Sequence, residues 1–147
     1  MKAIIMAGGA GQRLRPLTCT LPKPMVPVMN VPVMEYTLRL LRAHGITKVS
    51  VTLQYLPRSV QSYFGDGSDL GMQIDYVVED SPLGTAGSVL AAGADQERTL
   101  VISGDALTDL DLSALIKYHT EKGGSATIVL KKVEVPLEYG VAVTQKG

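Results

Sequence analysis

The sequence predicts an α/β fold in three layers, a mostly parallel sheet with helices on both faces. Three observations carry that expectation. Segments of strand and helix character alternate along most of the chain, the pattern that parallel βαβ units require. The first segment, Lys2 to Ala7 (KAIIMA), is a short apolar run closed by Gly8, Gly9 and Gly11, as expected of a buried strand entering a tight turn. Hydrophobic residues make up 46% of the 147 positions, enough to fill the core of one ordinary domain. No repeat, low-complexity tract or linker divides the chain, so residues 1–147 are expected to form a single domain.

After the first strand, Pro16, Pro22, Pro24, Pro27 and Pro32 exclude a continuous helix and predict extended loop. Val33 to Ala43 (VMEYTLRLLRA) has apolar residues at helical spacing and stops at His44-Gly45. Lys48 to Leu53 (KVSVTL) alternates and is rich in β-branched residues, which predicts a strand. Arg58 to Phe64, after Pro57, is a short helix, and Gln73 to Val78 (QIDYVV) alternates again as a strand. Gly84 to Ala94 reads as a helix of small residues, Thr99 to Ser103 (TLVIS) as a buried strand, and Leu112 to Lys122 as an amphipathic helix capped by Asp111. Ala126 to Val133 and Gly140 to Thr144 are expected to be two further strands.

Composition excludes several classes of function. Lysine plus arginine and aspartate plus glutamate each total 14, so bulk positive charge is not available to hold a nucleic acid. One cysteine, Cys19, cannot form an internal disulfide, which fits a reducing compartment and the cytoplasm and gives no support for a cysteine-based zinc site. The apolar run after Lys2 is too short for a signal peptide, and no run approaches a membrane span. Cys19, His44 and His119 have no sequence partners that suggest a triad or metal cluster. Both histidines fall at or near helix C-terminal ends, where a cation is favourable.

Charge is nevertheless uneven locally. No acid precedes Glu35, whereas Lys2, Arg13, Arg15 and Lys23 are basic. Three of these cations lie in or just after the glycine-rich turn, where backbone N–H groups can cradle phosphate oxygens. Charge alone fits a solvated basic loop equally well, and the glycines favour phosphate. The turn is not a dinucleotide fingerprint, because Leu14 stands where the last glycine belongs and prolines prevent a following helix. Nor is it a Walker loop, since Gly8 and Gly9 lead to Arg13-Leu14 rather than to Lys followed by Ser or Thr.

Gly8-Gly9-Ala10-Gly11-Gln12-Arg13-Leu14-Arg15-Pro16-Leu17-Thr18, followed by Leu21-Pro22-Lys23-Pro24-Met25-Val26-Pro27-Val28, resembles the signature of the sugar-phosphate nucleotidylyltransferases. These enzymes join a nucleoside triphosphate to a sugar 1-phosphate. Gln12 departs from the Thr or Ser usual in the family, which alters a side-chain contact to phosphate but spares a backbone one. Glu79-Asp80-Ser81-Pro82-Leu83-Gly84-Thr85-Ala86-Gly87 is similar to the family's base-recognition loop; taken alone it also fits a plain strand-to-helix turn. Gly104-Asp105 places a carboxylate at the C-terminal end of a predicted strand, the edge where open α/β sheets bind ligands, and one such carboxylate suffices as an anchor for magnesium. Asp109 and Asp111 read as turn and cap residues. Pro136 to Val141 resembles the family's sugar-contact segment, with the Tyr139-Gly140 pair lining the sugar pocket.

The resemblance implies a Rossmann-like fold of the nucleotide-diphospho-sugar transferase type and assigns roles by position. Arg13 and Lys23 would be catalytic, stabilising and holding the reacting phosphates, and Asp105 would carry Mg2+. Ala7, Gly8, Gly9, Gly11, Gln12, Arg13, Glu79, Pro82, Leu83, Gly84 and Thr85 would bind the nucleotide, and Gly104, Tyr139 and Gly140 the sugar. Leu83-Gly84-Thr85-Ala86-Gly87 and Ser103 to Asp109 look most like the mannose-1-phosphate guanylyltransferase branch. Glucose-1-phosphate thymidylyl-, uridylyl- and adenylyltransferases share most of these residues. The family continues into a Glu-Lys-Pro segment and a further metal-binding Asp, neither of which occurs before Gly147, so the chain is expected to be an N-terminal part of the catalytic domain with little turnover of its own. An unfinished sheet would leave an edge that favours homo-oligomers. A non-catalytic binding or regulatory module is the rival reading, against which the intact Arg13, Lys23 and Asp105 argue.

Overall fold

β1, Lys2–Met6, is an interior strand of the sheet: its residues Ala3, Ile4 and Ile5 are wholly buried, which requires cover on both faces of the strand. The structure is a computed structural model and describes residues 1–94, 98–135 and 140–143. β1 pairs in parallel with β4 (Lys48–Leu53) on one side and with β6 (Thr99–Ser103) on the other, and β4 pairs in parallel with β5 (Gln73–Val78). The sheet order is therefore β5-β4-β1-β6. β4 is buried from Val49 to Leu53, again on both faces, so the chain forms the mostly parallel α/β sheet that the alternation predicts.

The proline-dense stretch after β1 has no continuous helix, as expected, but it is not simply extended. It folds into 3₁₀ turns at Gln12–Leu14, Leu17–Cys19 and Lys23–Met25, then a two-residue hairpin of β2 (Pro27–Val28) and β3 (Val31–Pro32). Short 3₁₀ turns tolerate proline because they need few backbone donors.

α1, Val33–Ala43, buries Met34, Leu38 and Leu41 completely, at the spacing of one helical face. Its buried Glu35 accepts from Arg39 Nη2 at 2.6 Å and from the Tyr63 hydroxyl at 3.0 Å, which joins α1 to α2 (Pro57–Phe64). α3 spans Gly84–Ala91. Residues Met1–Leu110 make one compact unit and Asp111–Gly147 a second. In the second, α4 runs from Leu112 to Lys122, and the Asp111 carboxylate caps it by accepting from Ala114 N–H at 2.9 Å.

The predicted strand at Ala126 to Val133 is corrected by the structure: these residues are irregular, and Ile128, Val129 and Leu130 are exposed. Of the predicted strand at Gly140 to Thr144, residues 140–143 are irregular too, and position 144 lies outside the described residues. β-branched composition makes a strand only where a neighbour completes the hydrogen-bond ladder, and no described strand pairs with either segment. Among the described residues no helix is long and apolar enough to cross a membrane.

Candidate functional site

Strand register gathers the candidate residues at one edge. Met6 lies opposite both Thr52 and Ser103, and Thr52 lies opposite Val77, so the four strands end nearly in line. Three further backbone bonds extend the ladder by a residue: Ala7 N–H to Thr52 O at 3.0 Å, Glu79 N–H to Leu53 O at 2.8 Å, and Gly104 N–H to Met6 O at 2.9 Å. The glycine-rich loop, Glu79 and Asp105 consequently leave the sheet together at its C-terminal edge, where α/β sheets place ligands. At about 4.8 Å per strand, Glu79 stands roughly 10 Å to one side of β1, and Asp105 follows the strand on the other side.

The glycine-rich loop is tied down from within. Gly11 has φ +59°, and a Cβ there would lie 2.9 Å from Thr18 Cγ2 and 3.2 Å from Lys23 Cβ, so any side chain would be strained and would push Thr18 aside. Thr18 is fully buried and donates its hydroxyl to Gly11 O at 2.8 Å. Ala7 is buried at the strand end, whereas Gly9, Gln12 and Arg13 are exposed. Of the local cations, Lys2 does not join: it starts β1 at the opposite end and donates to Ala92 O at 2.5 Å. Arg13, Arg15 and Lys23 remain on the glycine side.

Lys23 Nζ is ion-paired with Asp105 Oδ2, and Ser103 Oγ donates to Asp105 Oδ1 at 2.5 Å. Burial pushes the Asp105 carboxyl up, but the hydrogen bonds from Lys23 and Ser103 and the Lys23 charge outweigh it and hold the group below the usual carboxylate range. Asp105 is thus an ionised carboxylate at a strand end, and a half-buried one. Gly104 beside it is buried against β1, where a Cβ would meet Ile5 Cγ2 at 2.9 Å and Ala7 Cβ at 3.2 Å. This close packing explains its identity without any ligand.

Glu79 is 9% exposed, at the end of β5. Its Oε2 accepts from Leu83 N–H at 3.4 Å, and its Oε1 is buried with no partner among the described residues. A buried carboxylate oxygen left unpaired costs free energy until a donor reaches it. Pro82, Leu83, Gly84 and Thr85 are all exposed around it. Gly140 is exposed with nothing within 4 Å of a Cβ, and Tyr139 lies outside the described residues. Among the described residues no group of three His, Cys, Asp or Glu could hold a metal, so a cation here would rest on Asp105 and on ligand oxygens.

Sequence reading missed Tyr55 and the role of Ser103. The Tyr55 hydroxyl lies 3.0 Å from Thr18 O and 3.1 Å from Cys19 O, a contact from the β4–α2 connection that no local pattern announces.

A parallel sheet whose C-terminal edge carries a glycine loop, a lysine–aspartate pair and an unpaired buried carboxylate places the chain in the class of open α/β proteins with polar groups gathered at their strand ends. A family model described as nucleotidyl transferase matches residues 2–147, and the chain belongs to that family. It is 43% identical to a UTP–glucose-1-phosphate uridylyltransferase of Synechocystis sp. over 98% of this chain and 41% of the relative. It is 38% identical to a mannose-1-phosphate guanylyltransferase of Mycobacterium tuberculosis, over 98% and 41%. A solved Bacillus anthracis structure named as a glucose-1-phosphate thymidylyltransferase matches with a TM-score of 0.76 at 30% identity, over 82% of this chain and 50% of that one. The chain spans about 41% of the length of these curated relatives.

Proposed function

We propose that residues 1–147 are part of one catalytic domain of a sugar-1-phosphate nucleotidyltransferase, the part that binds the nucleoside triphosphate. The observation that carries this reading is the order of groups along the sheet edge: Glu79, then the glycine loop with Arg13, then the Lys23–Asp105 pair. A nucleoside triphosphate has the same order, with a hydrogen-bonding base at one end, a polyanion and its counter-charge at the other. Relatives with sugar-1-phosphate nucleotidyltransferase names support the substrate class.

The reaction is attack by an oxygen of the sugar 1-phosphate on the α-phosphorus. A new P–O bond forms, the bond from the α-phosphorus to the α–β bridging oxygen breaks, and pyrophosphate leaves. No protein group need form a covalent bond, so catalysis is positioning and charge neutralisation. Arg13, exposed and without a hydrogen bond or ion pair among the described residues, is available to the triphosphate. Lys23 supplies a second cation to the reacting phosphates. The ionised Asp105 fits Mg2+, which prefers one or two carboxylates plus substrate phosphate oxygens and would neutralise phosphate charge when bound.

The base favoured is guanine. Glu79 offers only acceptors, and guanine presents adjacent N1–H and N2–H donors to them, whereas uracil and thymine present a single N3–H between two carbonyls. The activity proposed is therefore GTP plus mannose 1-phosphate to GDP-mannose. The 43% identity to a uridylyltransferase supports a second reading, with UTP and glucose 1-phosphate. Cytoplasmic location and self-association belong to the same proposal, supported by the lone exposed Cys19 and by exposed aliphatic residues such as Ile128 and Leu130. Light scattering that gives a strictly monomeric mass at high concentration removes the oligomer.

Calorimetric titration of the chain with GTP, UTP, dTTP and ATP, each with Mg2+, tests the whole reading, with Asp105→Ala as control. Binding of one nucleotide, weakened in the variant, is the expected result. Failure of every nucleotide to bind would leave an interaction module in its place.

A further inference from the structure

We infer that Tyr55 is a positioning residue for phosphate binding: through Thr18 it sets the peptide plane between Gly11 and Gln12, so that the Gln12 N–H faces the ligand side. This rests on the phosphate role proposed above for the glycine loop.

The chain of contacts is continuous. The Tyr55 hydroxyl bridges the carbonyls of Thr18 and Cys19, at the end of the 3₁₀ turn Leu17–Cys19, where helical carbonyls have no partner of their own. Held there, Thr18 is fully buried, packs its methyl group into the space a Gly11 side chain would take, and donates its hydroxyl to Gly11 O. Gly11 O also accepts from Leu14 N–H at 2.9 Å, so both of its lone pairs are engaged.

A peptide group is planar and trans, with its C=O and N–H pointing in opposite directions. Fixing the Gly11 carbonyl toward Thr18 and Leu14 turns the Gln12 N–H away from them, and that N–H bonds no described residue. An outward backbone donor beside exposed Arg13 is a ready contact for a phosphate oxygen. It also accounts for glutamine at position 12: the donor belongs to the backbone, and its direction is set by residues 18 and 55.

The test compares the full chain with Tyr55→Phe and Thr18→Val, using Thr18→Ser as the variant that keeps the hydroxyl. Tyr76→Phe serves as a control that removes a different tyrosine hydroxyl bond, to Gly65 O. Amide hydrogen exchange of the free chain and the affinity for GTP and UTP with Mg2+ are measured alongside the melting temperature. In Tyr55→Phe and Thr18→Val, exchange at Leu14 and Cys19 is expected to quicken and nucleotide affinity to fall about fivefold. Thr18→Ser should restore both, and Tyr76→Phe should change neither. Loop exchange at the wild-type rate in Tyr55→Phe overturns the inference, and so does faster exchange with unchanged affinity. If the wild-type chain binds neither nucleotide, the proposed function fails before any variant is compared, and the positioning role falls with it.

Discussion

The glycine loop and the loop from Glu79 to Thr85 leave one sheet edge two strands apart, with β4 between them, and they are finished to different degrees. The first is closed by Thr18 and Tyr55, by the left-handed Gly11, and by an ion pair that joins its lysine to Asp105. The second is tied by a 3.4 Å bond from Leu83 to Glu79, exposes residues 80–85, and leaves Glu79 Oε1 unpaired. Under the proposed function, a pre-ordered glycine loop would cost little to organise when phosphate arrives, whereas the Glu79 loop still holds a buried carboxylate oxygen without a partner among the described residues. Phosphate would then contribute affinity common to all nucleoside triphosphates, and the base loop would contribute the choice among them.

Substitutions on the two sides should therefore separate rate, stability and specificity. The largest effect is expected at the cations. In an active enzyme carrying this sequence, Lys23→Ala or Arg13→Ala should lower turnover by about 10² to 10³, followed as pyrophosphate release, and the exposed Arg13 should do so with little change in melting temperature. Near-normal turnover would show that the finished loop is scaffold rather than machinery. Gly11→Ala comes next: a positive φ and the 2.9 Å approach to Thr18 should cost about 1–3 kcal/mol in denaturant titration. Gly9→Ala, with nothing within 4 Å, should cost no more than about 0.5 kcal/mol. Equal costs at the two positions would dissolve the distinction between tied and open parts of the loop.

Glu79→Gln should reduce a preference for GTP over UTP by about tenfold while leaving the fold intact, since the amide replaces one acceptor with a donor. Competition between the two nucleotides measures it, and an unchanged ratio would mean that the base is read elsewhere. The smallest effect concerns acid. Because the folded Asp105 carboxyl titrates below its ordinary value of about 4, its ionised form favours the folded state. That contribution is complete above about pH 4 and fades as pH falls through the lower folded value. Asp105→Asn should flatten this acid limb of a melting-temperature profile, and an identical limb would show that the pair adds nothing to folding.

Much of this architecture can be read from the chain itself. α1, β4, β5, β6 and α4 begin and end where hydrophobic period and stop signals place them, because each pairs a clear 3.6- or 2-residue repeat with a terminating glycine, proline or cap. Ala126 to Val133 carries the same strand composition and is irregular, because pairing depends on a neighbour that composition does not encode. Lys2 is close to the glycines in sequence and at the far end of a five-residue strand in space. That Asp105 and the glycine loop share one sheet edge was legible because parallel strand ends converge by rule. Tyr55 and Ser103 were not, since their importance lies in single hydrogen bonds that span loops.

The irregular stretch after α4 also bears on how the chain behaves at high protein concentration. Ala126 to Leu130 has no charge and no proline, and Thr127, Ile128 and Val129 are β-branched, a composition that stacks into cross-β ladders between molecules. Lys131 and Lys132 follow at once and act as gatekeepers, because in-register stacking would pile like charges on one another. Salt screens that repulsion, so colloidal stability should decline with ionic strength even where the folded units are unaffected.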